Sequence, residues 1–198
     1  VLTMLGIIFG VAAVISMLSI GEGAREEALT QIAQLGMNNI IVQNIPLEDL
    51  EDGEDQDNFS RGLRYEDAVA LRTVNALVDE VVPQRIIVAD ARYGSERVSA
   101  TIVATSPTFE DVMSYKASQG SFFNYQDDLE HRRVCVLGAS IKRDLFYFKD
   151  PLNEQIKIGE DWFTVIGVME RKITGGNTGG MDVNKQIYIP ISTAEVRF

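Results

Sequence analysis

The chain has 198 residues, enough for one ordinary domain or two small ones with cores of useful size. It carries 18 Lys and Arg against 29 Asp and Glu, a formal net charge of −11, and its first twenty residues contain none of these four types. All the negative charge therefore belongs to residues 21–198, a surface that repels phosphate backbones and argues against nucleic-acid binding.

Val1 to Ile20 reads "VLTMLGIIFGVAAVISMLSI", with Thr3, Ser16 and Ser19 as its only polar side chains. A helix rising ~1.5 Å per residue needs about 20 apolar residues to cross a ~30 Å hydrocarbon layer. A signal peptide would show a basic start and a shorter apolar run. A buried helix of a soluble protein would keep a polar face. Neither feature is present, so 1–20 is read as a transmembrane helix. Gly6 and Gly10, with Ala13 on about the same face, form a small-xxx-small pattern that lets another helix approach closely in lipid.

After Gly21-Glu22-Gly23, the segment "AREEALTQIAQLG" spaces Ala24, Ala28, Ile32 and Leu35 along one stripe of an otherwise polar helix. Gly36 is placed to end it. Residues 21–36 are thus expected to carry the membrane helix onward as a stalk, and 38–44 to form a short strand. Residues 46–62 hold seven carboxylates between Glu48 and Asp57. They lack the register of a calcium-binding loop, so a solvated acidic loop is expected.

"RYEDAVALRTVN" predicts a helix with Ala68, Leu71 and Val74 toward a core. Residues 83–105 predict a hairpin turning at Gly94-Ser95, with Val98, Ala100, Ile102 and Ala104 on the buried face. "SPTFEDVMSY" predicts a short helix capped by Ser106 with Pro107 at its first position. The last third reads as a buried strand "RRVCVLG", a helix "ASIKRDLFYF" and a hairpin turning at Gly159-Glu160-Asp161. On that hairpin Trp162, Thr164, Ile166 and Val168 are expected on one face, with Phe163 and Val165 on the other. A final strand "KQIYIPIS" stops at Pro190.

No stretch carries a catalytic signature. The glycine-rich run at 174–182, "TGGNTGGMD", lacks the Lys-Ser/Thr and the following helix that a phosphate-cradling loop requires. A G-x-S-x-G nucleophile elbow does not occur, and one Cys and one His are too few for the usual zinc sites. Cys135 is expected to be a small buried hydrophobe. No catalytic, cofactor-binding or metal-ligating residue is assigned.

A series of short pieces in fixed order resembles a known family. They are Leu5-Gly6 through Gly10, Gly21-x-Gly23, Leu35-Gly36-x-Asn38, Gly120-x-Phe122-Phe123 and Val134-x-Val136-Leu137-Gly138. Leu145-Phe146, Asp150-Pro151-Leu152, Val165-Ile166-Gly167-Val168 and Ile189-Pro190 complete the series. Their order after a membrane span is similar to the periplasmic core domain of MacB-type ABC transporter permeases, a group that includes the lipoprotein-releasing and FtsX-like permeases. The chain departs from the pattern at Ser121, where the family often has Arg, and at Asn153, where Gly is usual.

The resemblance implies an α+β chain: transmembrane helix 1–20, stalk 21–36, a mixed α/β porter-like part over 37–115 and a β-rich subdomain over 116–198. It implies a fragment of a larger permease with later membrane spans, set in the inner membrane with residues after about 21 on the periplasmic side. The expected partners are an ABC ATPase domain or subunit, a second permease copy, a periplasmic adaptor and membrane lipid. ATP and magnesium would sit at the ATPase, with no cofactor in this chain. On that reading the moving helix contacts fall at Gly6, Gly10, Ala13, Ala24, Ala28, Ile32 and Leu35. A single-pass membrane-anchored sensor or interaction domain is the alternative.

Overall fold

The computed structural model describes residues 2–34, 40–44, 62–74, 77–172 and 182–198. It falls into two compact units, residues 1–39 and 40–198. The first holds one helix, α1 (Leu2–Gln34). Its backbone stays helical through Gly21 and Gly23, although a glycine inside a helix costs about 1 kcal/mol relative to alanine.

In the second unit α2 (Tyr65–Val74) precedes a hairpin of β1 (Gln84–Tyr93) and β2 (Glu96–Thr105). Then follow α3 (Phe109–Val112), β3 (Ala117–Gly120), α4 (Tyr125–Leu129), β4 (Val134–Leu137) and α5 (Ala139–Phe146). A second hairpin, β5 (Gln155–Ile158) and β6 (Asp161–Met169), leads to β7 (Gln186–Pro190) and α6 (Ile191–Arg197).

The pairings close on themselves. β1 pairs with β2, β2 with β7, β7 with β4, β4 with β6, β6 with β5, and β5 again with β1. The result is a closed ring of six strands of mixed direction, with β3 added on β6. Two joints are narrow. β1 meets β5 only through Ala91↔Ile158 and Arg92↔Lys157, and β4 meets β7 only through Val136↔Tyr188 and Leu137↔Ile187.

Alternation along the strands sorts side chains to the two faces of this wall. Ala100, Ile102, Ala104, Cys135, Leu137, Ile156, Phe163, Val165, Ile187 and Ile189 share one core with Ile141 and Leu145 of α5 and Ala194 of α6. Their neighbours Val103, Val136, Met169 and Tyr188 join Phe109, Tyr115, Phe122 and Phe123 in a second cluster. Here the sulfur of Cys135 is fully buried, and burial pushes its thiol pKa well above the usual range. It is the small hydrophobe expected.

Several expectations change. The β1–β2 hairpin turns at Gly94, with φ +59°, as predicted, but it belongs to the same sheet as the C-terminal strands. A division at 115/116 therefore cuts through the ring, because β2 has its parallel partner in β7 and β1 has its closing partner in β5. Residues 40–44 are not a strand; Ile40, Ile41 and Val42 are exposed, with no ladder partner among the described residues. α2 ends at Val74 and buries none of its residues; Leu71 and Val74 lie open.

The helix after β2 starts at Phe109. Ser106 serves it through its carbonyl, which accepts the Phe109 N–H, rather than through a side-chain cap. β3 went unforeseen because "ASQG" has no apolar alternation. In β6 a bulge at Ile166 lets Val136 pair with Gly167 and Leu137 with Val168. Val168 is thereby carried to the side of Phe163 and Val165, since a bulge resets the alternation. Leu35, the acidic segment up to Arg61 and residues 173–181 lie outside the described residues.

Candidate functional site

Within α1 the stretch Gly6–Glu26 spans 21 residues, about 31 Å of helix, and none of it is buried within the chain. An aliphatic surface exposed all round a helix of that length is suited to lipid rather than water. In its last turn, past the uncharged run that ends at Ile20, Arg25 pairs with Glu22 at 3.3 Å.

At about 100° per residue, positions 6, 10, 13, 24, 28 and 32 of one unbroken helix fall within an arc of about 100°. The small-residue stripe of the span and the stripe beyond it therefore share a face. A Cβ added at Gly6 or Gly10 meets nothing within 4 Å, so that face is open to a neighbouring helix. Leu35, the last member of the series, is outside the described residues.

The second unit is held by glycines that sequence reading had marked only as motif members. Gly120 and Gly167 face each other across β3 and β6. Gly120 has φ +67°, and a Cβ there would lie 2.2 Å from the carbonyl oxygen of Ile166. One added at Gly167 would lie 2.4 Å from the Ser121 carbonyl, and one at Gly138 would lie 2.5 Å from the carbonyl of Asn184. These are backbone contacts, which no side-chain rotation relieves. Asn153 takes φ +63°, as an Asn can.

Asn184, 5% exposed, forms a bracket. Its Oδ1 accepts the Lys172 N–H at 3.1 Å, and its Nδ2 donates to the Lys172 carbonyl at 2.8 Å. Lys172 in turn lays its ammonium 4.8 Å from the Tyr115 ring centroid, and desolvation lowers its pKa. Replacing the bracket by Asn184→Ala strands both Lys172 backbone groups. That is expected to cost about 3 kcal/mol, read as a lower denaturation midpoint at unchanged slope.

Near the C-terminal end of α5, Tyr93, Lys149 and Glu154 form a triangle. The Tyr93 hydroxyl donates to Glu154 Oε2 at 2.8 Å, and Lys149 Nζ reaches Glu154 Oε1 at 2.9 Å as well as the Tyr93 hydroxyl. Hydrogen bonds from Lys149 and Tyr93 hold the Glu154 carboxyl below its ordinary value of 4.5. A carboxylate whose folded pKa is depressed stabilises the fold above its unfolded pKa, and this is lost as pH falls through the folded one. Glu154→Gln is therefore expected to lower Tm slightly near neutrality and to flatten its decline as pH falls below about 4.5, where the two proteins converge. The effect is small because all three side chains are partly solvated.

Among the described residues no group of three or more His, Cys, Asp or Glu side chains is placed to hold a metal ion. The geometry is that of a helix long and apolar enough to cross a membrane, joined in sequence to a closed-sheet unit, the class of a domain with a candidate membrane anchor.

The comparisons with known proteins agree with that class. A family model described as the MacB-like periplasmic core domain matches residues 1–198. The macrolide export ATP-binding/permease protein MacB of Marinobacter nauticus is 32% identical over 99% of this chain and 29% of its own length. The pyoverdine export ATP-binding/permease protein PvdT of Pseudomonas aeruginosa is 30% identical over 99% of the chain and 28% of its length. The chain thus spans less than a third of these relatives. Two solved structures share the fold. The periplasmic region of MacB from Actinobacillus actinomycetemcomitans aligns with a TM-score of 0.60 at 23% identity, covering 69% of this chain and 58% of that one. The extracellular domain of the ABC-type transporter YknZ from Gram-positive bacteria also gives 0.60 at 23%, covering 69% and 66%. The chain belongs to the MacB-like periplasmic core domain family.

Proposed function

We propose that this chain is the membrane-anchored, extracytoplasmic part of an ABC export permease, and that it transmits ATP-driven movement across the inner membrane. The observation that carries the reading is the continuity of α1. One helix runs without a break from the apolar span into the polar segment beyond it, with its candidate contact positions on a single face. A helix so built moves its outer end when its inner end is displaced. The family supports the setting, since its full-length relatives are ATP-binding/permease proteins.

On this reading ATP and magnesium are used by an ATPase domain or subunit on the cytoplasmic side, and this chain contributes no catalytic residue. A second permease copy supplies the facing helix, lipid surrounds the span, and a periplasmic adaptor receives the motion. Residues after about 21 lie in the periplasm. The cargo belongs to the export class handled by the relatives, which are named for macrolides and pyoverdine.

The test uses the full-length protein in lipid nanodiscs with Ala24→Cys as a cross-linking probe; Cys135 is buried and does not compete. Disulfide yield between two copies is expected to change several-fold between the nucleotide-free and the ATP-bound, hydrolysis-arrested protein. Equal yield in both states would remove the coupling role and favour an anchored sensor.

A further inference from the structure

Four strands carry one row of side chains across the outer wall of the sheet. Arg97 of β2 lies directly opposite Arg92 of β1, Arg92 opposite Lys157 of β5, and Lys157 opposite Trp162 of β6. All three pairings are antiparallel, so the four side chains leave the same face. It is the face away from α5 and α6, since the strand neighbours Ala91, Ile158 and Phe163 are the ones buried in the core those helices share. Adjacent strands stand about 4.8 Å apart, which sets three cations within about 10 Å and the indole about 5 Å beyond the last.

Such a row is costly. Like charges directly opposite one another in a sheet repel, and the chain has only 18 Lys and Arg against 29 Asp and Glu. The nearby carboxylates serve the two flanking cations: Asp90 pairs with Arg97, and Glu160 with Lys157 at 3.0 Å. Glu160 is a loose partner, its side chain 95% exposed in the turn before β6. Arg92, in the middle, has no ion pair among the described residues. Trp162 is 53% exposed, and among the described residues no cation lies over its ring.

We propose that this row binds a small organic anion with a flat apolar part. Its carboxylate, phosphate or sulfonate groups are held by Arg92 together with Arg97 and Lys157, and its apolar part lies on Trp162. Arg92 supplies the planar fork that matches the two oxygens of an acidic group. The indole offers an open π-face beside the charges. A small anion suits the row better than an acidic polypeptide. The polypeptide would bring many charges against a chain of net charge −11, whereas a small anion feels mainly the three cations within a screening length of about 8–10 Å.

The experiment titrates the full-length protein, in nanodiscs of uncharged phosphatidylcholine, with naphthalene-2,3-dicarboxylate by isothermal calorimetry. Succinate, which lacks the ring, and 2,3-bis(hydroxymethyl)naphthalene, which lacks the charge, are the comparison probes. The dicarboxylate is expected to bind, more tightly than either. Its affinity is expected to fall about tenfold on Arg92→Gln and about fivefold on Trp162→Ser. It is expected to hold on Arg143→Gln, whose cation belongs to α5 and pairs with Asp144. No binding of the dicarboxylate, equal binding of the diol, or wild-type affinity in Arg92→Gln overturns the proposal. Ser99→Cys provides the independent arm, because Ser99 lies two residues along β2 from Arg97 on the same face. In the full-length protein its thiol is expected to react with a soluble maleimide. A shielded thiol would show the row already covered by the protein's own chain, and that too overturns the proposal.

Discussion

Gly120→Ala is expected to lower the stability of the extracytoplasmic unit by on the order of 4 kcal/mol. Two independent penalties combine at this residue. At φ +67° an alanine is held in the left-handed region, which costs about 1–3 kcal/mol where nothing compensates. Its Cβ also lands 2.2 Å from the Ile166 carbonyl and 2.8 Å from Leu152 Cδ2, and overpacking of this kind costs a further ~1–3 kcal/mol. Leu152 can rotate away; the carbonyl cannot, because Ser121 N–H donates to it at 3.1 Å in the same crossing. Denaturation monitored at Trp162 on β6 reads the change. Gly94→Ala is the matched control, since φ is +59° there but a Cβ meets nothing within 4 Å. It is expected to lose only the conformational share, about 1–2 kcal/mol. Equal losses at the two sites would show that the crossing of β3 and β6 yields more than its geometry implies.

On the proposed coupling role, replacing Gly6 and Gly10 together by Leu is expected to cut transport-coupled ATP hydrolysis of the full-length protein by about tenfold or more, equivalent to about 1.4 kcal/mol of lost coupling. Both glycines lie in helix, where leucine is the better former, so the span itself gains stability. Any loss of activity must then come from holding a neighbouring helix away, since the glycine face permits a backbone approach that leucine blocks. Ile8 and Ile15 lie roughly opposite that face, and Ile8→Leu with Ile15→Leu keeps the span apolar at constant volume. That pair is expected to leave hydrolysis and transport unchanged. If both pairs behave alike, the face has no special role and the span serves as an anchor only.

The long apolar helix was legible because length and the absence of charge suffice to define a candidate span, which needs no tertiary partner to be read. Both hairpins were legible for a local reason as well, since Gly94 and Gly159 sit between alternating segments and take φ +59°. The closure of the sheet was not. It depends on β2 finding β7 and β1 finding β5, contacts between residues about 60 to 90 positions apart that leave no local pattern. The glycines of the motifs could be noted but not explained, because the atoms they make room for, such as the Asn184 carbonyl over Gly138, come from distant segments. Cys135 and Asn153 were read correctly from intrinsic chemistry, the thiol as a small hydrophobe and the amide as a residue tolerant of positive φ.

The way the ring closes also decides the order in which this unit can be made. A chain emerging N-terminus first presents β1 and β2 early, but an isolated two-stranded hairpin is marginal in water. β2 waits for Gln186–Pro190, and β4 needs the same strand on one side. Until residues 186–190 arrive, the edges at β2 and β4 stand open to any passing strand, so the sheet closes late. A ribosome stall or a proteolytic cut shortly before Gln186 would leave no smaller folded piece, only an unclosed sheet for quality control to remove.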